Sequence, residues 1–248
     1  MLSESRITAQ LDSPFFHLAL FDSVESTNLI VKQALSEGKT EGFVACALEQ
    51  KGGYGRQGRI WQSPYGGLYV SVGLTPKRSL EELPTLSLVV CLAVKQALEA
   101  LGLGPFAIKW PNDLLLSGEK QCGISLENTR FGVCVGIGVN IFSGLCCRSD
   151  LSSGHLQTIE AYLVAVLNAL EKAYKLWNEQ GFQAFHGRYQ QALYNKGQYV
   201  RLEDIYTHTL LEGCVCGVNE QGKLLLRQKD GSYIAAASGE VHTISASD

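Results

Sequence analysis

No apolar run in these 248 residues is long enough to cross a bilayer: the longest, Leu86 to Val94, has nine residues and stops at Lys95, where a spanning helix needs about 20. Residues Met1 to Ser13 carry Glu4, Arg6 and Asp12 and lack the apolar core of a secretion signal, so a cytoplasmic location and no membrane partner are expected. Positive charge is scarce too. With 21 Lys and Arg against 24 Asp and Glu the net charge is −3, which offers no general attraction to a phosphate backbone. There is no G-x-S-x-G elbow, no H-E-x-x-H and no H-R-D or D-F-G triplet, and His17, His155, His186, His208 and His242 are scattered. These absences set aside the serine-hydrolase, zinc-protease and protein-kinase chemistries. The eight cysteines show no zinc-knuckle spacing: Cys46, Cys91, Cys122 and Cys134 sit in apolar runs, Cys146 and Cys147 are adjacent, and Cys214-x-Cys216 lies in a strand-like segment. Reduced structural thiols are expected.

What is present is a globular composition, 46% apolar and 18% charged, in a chain long enough for one large core or a main domain with a small one. Short apolar or β-branched segments bounded by Gly, Pro or Ser predict strands at 16–21, 42–49, 67–74 and 106–110. A hairpin is expected from 114–116 to 123–127 around Ser117-Gly118-Glu119-Lys120, with a further strand at 131–139. Helical spacing predicts helices at 26–37, 80–101, 158–177 and 182–189. Runs of strands with helices between and after them point to an α+β fold with a mixed or antiparallel sheet. After Asn195 five short strand-like pieces follow, near 197–203, 208–218, 222–228, 231–236 and 240–245, which suggests an appended small β-barrel. The division is therefore placed between 1–193 and 194–248.

Four clusters can carry chemistry. The densest runs from Gln50 through Lys51-Gly52-Gly53-Tyr54-Gly55-Arg56-Gln57-Gly58-Arg59 to Trp61, with four glycines and three cations in the nine residues 51–59. Such a loop can bring backbone N–H groups and guanidinium forks to an anion, or be simply a solvated loop. Its G-x-G-x-x-G spelling is not a dinucleotide fingerprint, because Pro64 and Gly66-Gly67 oppose the helix that must follow. The second cluster is Lys109-Trp110-Pro111-Asn112-Asp113 with Lys120 eleven residues after Lys109. Asp113 could hold Mg²⁺, orient an amine or cap the turn, and Lys120 at a hairpin tip reads by itself as a surface lysine. The third, Glu25-Ser26-Thr27-Asn28, opens a helix with a natural N-cap. The fourth, Gly136-x-Gly138-x-Asn140, is either a place where a flat ring approaches the backbone or a β-bulge.

Taken in order, Ser26-Thr27-Asn28, then Gly53-x-Gly55-Arg56-x-Gly58-Arg59-x-Trp61-x-Ser63-Pro64-x-Gly66, then Lys109 to Asp113, then Lys120-x-x-Gly123-Ile124, then Gly136-x-Gly138-x-Asn140, resemble the biotin–protein ligases. The resemblance runs from about 16 to 245. It includes Glu212-Gly213, Gly217-Val218-Asn219, Gly222 to Leu226 and Gly239-Glu240, which are similar to that family's SH3-like domain.

The resemblance implies a catalytic domain like that of class II aminoacyl-tRNA synthetases and of biotin and lipoate ligases, plus a C-terminal SH3-like barrel. It implies a two-step reaction in which biotin and MgATP give biotinyl-5′-AMP, and the biotinyl group then passes to a lysine of a biotin carboxyl carrier protein. Residue by residue it implies a biotin site of Ser26, Thr27, Asn28, Gln50, Gly53, Tyr54, Gly55, Arg56, Lys120 and Gly123. It implies an ATP site of Arg56, Arg59, Trp61, Lys109, Asn112, Asp113, Gly136, Gly138 and Asn140, with Lys120, Arg56, Arg59 and Asp113 catalytic. Mg²⁺ is expected to arrive with ATP and not on a dedicated set of protein ligands. Loop 51–66 is expected to be mobile when empty and to close over the adenylate.

This chain departs from the family pattern in two places: Tyr54 stands where the family usually has Arg, and Ser125 where it commonly has Leu. The chain begins about fifteen residues before its first strand, so no winged helix and no specific DNA partner are expected; a homodimer through a sheet edge is compatible with the family. A lipoate–protein ligase fits less well, since its loop typically reads Arg-Arg-x-x-Gly-Gly-Gly-Ala. A non-catalytic biotin-binding protein is supported by Tyr54 alone.

Overall fold

A computed structural model describes residues 2–38, 41–141, 153–203 and 209–244; Cys146, Cys147 and His208 lie outside them. A short helix α1 (Glu4–Thr8) precedes β1 (His17–Phe21), α2 (Thr27–Ser36), β2 (Phe43–Ala47) and β3 (Leu68–Leu74). Then follow α3 (Leu83–Ala100), β4 (Phe106–Lys109), β5 (Asp113–Leu116), β6 (Glu119–Thr129), β7 (Gly132–Val139), α4 (Ser153–Gln180) and α5 (Gln183–Ala192). Strands β8 (Tyr199–Glu203), β9 (Leu210–Val218), β10 (Leu224–Arg227), β11 (Tyr233–Ala236) and β12 (Glu240–Thr243) complete the chain.

The first seven strands form one mixed sheet in the order β1-β2-β3-β7-β6-β5-β4. Only β1 and β2 are parallel, joined by the crossover helix α2; the other neighbours are antiparallel. Alternation along β2 assigns the two faces. Val44 and Cys46 join the large cluster with α3 and α4, while Ala45 packs with Val31, Leu35 and Cys134 beneath α2. Both faces of the central strand β3 are therefore covered, and all its residues are buried.

Helix α3 has the length and composition of a membrane span, but it is 67% buried in the core. It starts at Leu83 and not near residue 80, because Pro84 fits only a first turn, where its missing N–H costs nothing. Helix α4 is longer than its periodicity suggested, and α1 carries too few residues for a periodic signal.

The hairpin between β5 and β6 differs from expectation in a way that matters. Ser117 (φ 53°) and Gly118 (φ 87°) alone make the turn, a two-residue loop with both central residues left-handed. Glu119 and Lys120 belong to β6, and the register skips Gln121 between Leu114↔Cys122 and Leu115↔Lys120. Lys120 therefore sits at a bulge and not at the hairpin tip, on backbone that is paired and aimed.

The C-terminal strands form a second, antiparallel sheet in the order β11-β10-β9-β8-β12, the last strand returning to pair with the first. Its inner residues Val200, Leu202, Val215, Leu224 and Val241 belong to the same apolar cluster as the main sheet. Two hydrogen bonds clamp the 109–113 turn: Trp110 Nε1 donates to Gly222 O of the C-terminal part at 2.9 Å, and Tyr189 Oη of α5 to Pro111 O at 2.9 Å.

At the opposite end of the chain, Glu160 on α4 accepts from Arg6 Nε at 2.8 Å, from Arg6 Nη2 at 2.7 Å and from the Ser3 N–H at 2.6 Å. Burial alone would raise this carboxyl, but the bonds from Arg6 and Ser3 outweigh it and hold its pKa below the ordinary value. A depressed folded-state pKa means stability that is present at neutral pH and lost as pH falls through that lower value. Melting temperatures between pH 7 and pH 3 should show a smaller acid loss in Glu160→Gln than in the parent, with the variant already a few degrees lower at pH 7.

Candidate active site

The N-terminal turn of α2, the first half of β6, the second half of β7 and the loop after β2 enclose a cavity of about 320 Å³. The loop is itself folded. Tyr54 and Ile60 pair across it, Gly55 N–H donates to Arg59 O and Trp61 N–H to Gly53 O, and residues Arg56–Gly58 make a tight turn with Gln57 at φ 60°. Gly53 must be glycine, because a Cβ there would lie 2.4 Å from Ser63 Oγ and 2.7 Å from Trp61 O.

An uncharged polar set lines one wall. Ser26 occupies the N-cap of α2 but its hydroxyl makes no capping bond. Gln50 does that work: its Oε1 accepts from Thr27 N–H at 2.9 Å and Thr27 Oγ1 lies 3.0 Å away, while Gln50 Nε2 donates to Ser63 Oγ at 3.0 Å. Ser71, on β3, has its hydroxyl oxygen 2.7 Å from Thr27 Oγ1 and 2.6 Å from Asn28 Oδ1. Asn28 Nδ2 donates to Ser125 Oγ at 3.2 Å and to Glu127 Oε1 at 2.7 Å.

The charged groups come from the loop and the β4–β6 turn. Arg56 Nη1 donates to Asn112 Oδ1 at 2.9 Å, and Asn112 Nδ2 to Ile124 O. Lys120 Nζ lies 2.8 Å from Asp113 Oδ2 and 5.2 Å above the Trp61 ring. Arg59 reaches across to the C-terminal sheet and pairs with Glu240 Oε2 at 2.6 Å. Burial would raise the Glu240 carboxyl, yet the Arg59 hydrogen bond and charge hold it below the usual carboxylate range.

The paired glycines of β7 have a specific occupant. β7 pairs without interruption to both β3 and β6, which removes the bulge reading. The flat ring is the protein's own: a Cβ on Gly138 would lie 2.5 Å from Trp61 Nε1, and one on Gly136 would lie 2.4 Å from Asn28 Oδ1. The Trp61 indole N–H is buried and has no partner among the described residues.

Of the residues singled out from sequence, Thr27, Asn28, Gln50, Tyr54, Gly55, Arg56, Arg59, Trp61, Lys109, Asn112, Asp113, Lys120, Gly123, Gly136 and Gly138 line the cavity. Ser26 and Gly53 stand behind its wall, and Asn140 lies off it, its carbonyl taken by Gln121 Nε2 and its N–H by Gln121 O. Sequence reasoning missed Gln57, Ile60, Ser71, Ile124, Ser125, Ile137 and the segment Gly239–Val241 as lining residues. Only Gly239-Glu240 carried a local signal. Ser71 sits unmarked in a buried strand, and Ser125 registered only as a departure from the family pattern.

A model of the Biotin/lipoate A/B protein ligase family matches residues 20–140. The chain is 30% identical to the bifunctional ligase/repressor BirA of Salmonella typhimurium over 99% of its own length and 79% of that protein's. It is also 30% identical to the biotin–[acetyl-CoA-carboxylase] ligase of Paracoccus denitrificans, over 82% of this chain and 92% of that one. The solved biotin protein ligase of Aquifex aeolicus in complex with biotin and ATP superposes with a TM-score of 0.79 at 28% identity, covering 92% of this chain and 99% of the other. Motifs, fold and cavity agree with these likenesses, and the chain belongs to the biotin/lipoate protein ligase family, on its biotin–protein ligase branch.

Proposed function

We propose that the protein activates biotin with MgATP to biotinyl-5′-AMP and transfers the biotinyl group to one lysine of a biotin carboxyl carrier protein. The observation that carries this is the joint lining of one cavity by two kinds of group: the neutral set Thr27, Asn28, Gln50 and Ser71, and the cations Arg56, Arg59, Lys109 and Lys120. A cyclic urea has donors and an acceptor to satisfy the neutral set. The dithiolane of lipoate has none and would leave those groups unpaired, at a cost of about 1–3 kcal/mol for each.

In the first step the biotin carboxylate attacks the α-phosphorus and pyrophosphate leaves. Two anions must meet, so the cations offset their repulsion and stabilise the charge that builds at phosphorus. The carboxylate needs no general base. The residues fit ATP: the orphan indole N–H of Trp61 offers a donor to a ligand acceptor, beside the cations. Asp113 offers a hard oxygen to Mg²⁺, which when bound with the triphosphate offsets its charge. In the second step the acceptor lysine, with a reference pKa of about 10.4, must lose a proton before attacking the mixed anhydride. In this reading Asp113, whose Oδ2 lies 2.8 Å from Lys120 Nζ, orients that amine.

The reading further takes 1–193 as the catalytic unit and 194–248 as a small domain that supplies Glu240 to the cavity wall. It takes operator binding as no part of the activity, in keeping with the net charge of −3. A cytoplasmic setting is in keeping with six free thiols among the described residues, Cys46 being pushed up to about 12 by burial. A homodimer would form through β1, the edge of the main sheet.

Incubation with MgATP, a carrier domain, and biotin or lipoate tests the reading. A carrier mass increase equal to one biotinyl group, dependent on ATP, is expected. No increase, or an increase with lipoate only, overturns it.

A further inference from the structure

Glu127 lies outside the cavity lining, yet it touches both parts of the site. Its Oε1 accepts from Asn28 Nδ2 at 2.7 Å. Its Oε2 accepts from Lys32 Nζ at 2.7 Å and from the Tyr54 phenol at 3.4 Å, with the Lys32 ammonium 5.3 Å over the Tyr54 ring. Three elements meet there: α2 brings Lys32, β6 brings Glu127, and the glycine-rich loop brings Tyr54.

A carboxylate only accepts hydrogen bonds, so it fixes which way the Asn28 amide faces. With Nδ2 turned to Glu127 and Ser125, Asn28 Oδ1 faces Ser71 and takes that hydroxyl's single proton. Thr27 Oγ1, 2.7 Å from Ser71, then gives its own proton to Ser71 Oγ and keeps its lone pairs for a ligand N–H. If the amide turned over, Ser71 would give its proton to Thr27 and fill that acceptor. The Ser125 oxygen likewise accepts from Asn28, and its own proton points to no described partner. The cavity wall thus shows one acceptor and one donor, the pattern a cyclic urea requires.

We propose that Glu127 is a positioning residue with two outputs, setting the donor and acceptor pattern of the biotin wall through Asn28 and docking the loop through Lys32 and Tyr54. Tyr54, which replaces a loop cation, does not leave a gap in this chain: it exchanges a charge for an anchor. Lys32 matches that role, because the bonds from Glu127 and Tyr54 outweigh burial and raise its pKa above the ordinary lysine value. Glu127 thus ties the docking of the loop to the polar wall of the pocket.

The inference rests on the biotin-ligase reading for its pocket arm and is independent of it for its loop arm. Trypsin cleavage after Lys51, Arg56 or Arg59 in the ligand-free protein reads the loop. Steady-state adenylation with biotin and ATP reads the pocket. Glu127→Met, of similar length but with no acceptor, should speed loop cleavage and raise KM for biotin, each about tenfold, the size of one charge-assisted hydrogen bond, with a smaller rise in KM for ATP, whose cations lie on the same loop. Lys32→Met should speed cleavage and raise KM for biotin less than Glu127→Met does, because the Asn28 amide keeps its acceptor.

Parent-like cleavage in both variants overturns the docking role. Parent-like KM for biotin in Glu127→Met overturns the pocket role. An equal rise in both Michaelis constants together with a lower melting temperature reduces Glu127 to a folding element and overturns the proposal. If Glu127→Met does not fold, Glu127→Asp, which keeps a carboxylate but withdraws it from Asn28, carries the pocket arm with the same expected rise. A parent protein that forms no biotinyl adenylate removes the functional reading, while the cleavage comparison still decides the loop.

Discussion

Lys120→Ala should lower the rate of biotinyl-adenylate formation by about 10²–10³-fold, the usual cost of removing one group that stabilises developing charge. The structure makes the loss larger than that of a lone cation. Lys120 Nζ neutralises Asp113 at 2.8 Å, and the Asp113 side chain is only 22% exposed. Without Lys120 that carboxylate faces an incoming carboxylate and a triphosphate, so attraction is replaced by repulsion in the step where two anions must meet. The sign of the effect can be separated from its size. If repulsion contributes, Lys120→Ala with Asp113→Asn should be faster in adenylation than Lys120→Ala alone, a positive coupling in a double-mutant cycle. Both should stay slow in transfer to the carrier, where Asp113 handles the amine. Pyrophosphate release and carrier mass measure the two steps separately. A single variant within about twofold of the parent in pyrophosphate release removes Lys120 from the chemistry.

That same residue shows how far the sequence could be read. Strand and helix placement was legible because β-branched runs end at Gly or Pro and because α2, α3, α4 and α5 keep a helical apolar period. The position of Lys120 was not, since a one-residue bulge at Gln121 leaves no mark in composition and decides whether the side chain is at a tip or in a wall. The glycines at 136 and 138 were legible as places of close approach, but local sequence could not name what approaches. Trp61 and Asn28 come from a loop and a helix remote along the chain. The helix cap was legible in position but not in the group that accepts its bond. Ser26 has the residue type and backbone of an N-cap, and the acceptor is supplied by Gln50, twenty-three residues from Thr27. Local propensity finds elements, whereas hydrogen-bond partners across the sheet depend on tertiary pairing.

The C-terminal sheet illustrates the same limit at larger scale. Its five strands were readable from turn spacing, but its contacts with the site were not: the Arg59–Glu240 pair beside the lining segment Gly239–Val241, and the Trp110 bond to Gly222. Neither follows from either segment alone. The Arg59–Glu240 pair ties the loop to the second sheet on one side, as Lys32, Glu127 and Tyr54 tie it to the first on the other.

Gly136→Ala should cost both stability and affinity for biotin. The new Cβ would stand 2.4 Å from Asn28 Oδ1 and 2.5 Å from Ser125 Oγ, both well inside contact distance. Neither side chain can yield freely. Asn28 is 5% exposed and Ser125 7% exposed, and Asn28 is held by Ser71, Ser125 and Glu127 together. Moving Asn28 breaks the bond that directs the Ser71 proton, so the acceptor at Thr27 is lost with it. Overpacking a tight site costs about 1–3 kcal/mol of stability. The loss of two oriented hydrogen bonds to the ligand adds about 100-fold in affinity for biotin. Gly138→Ala makes the comparison informative, because its methyl meets the Trp61 indole and not the polar wall. It should disturb the orphan N–H and the surface under Lys120, raising KM for ATP more than KM for biotin. Isothermal titration with biotin alone, then with ATP, distinguishes the two positions. Equal effects of the two alanines on both ligands would show that β7 acts as one rigid support, with no division of the cavity into a polar wall and a charged one.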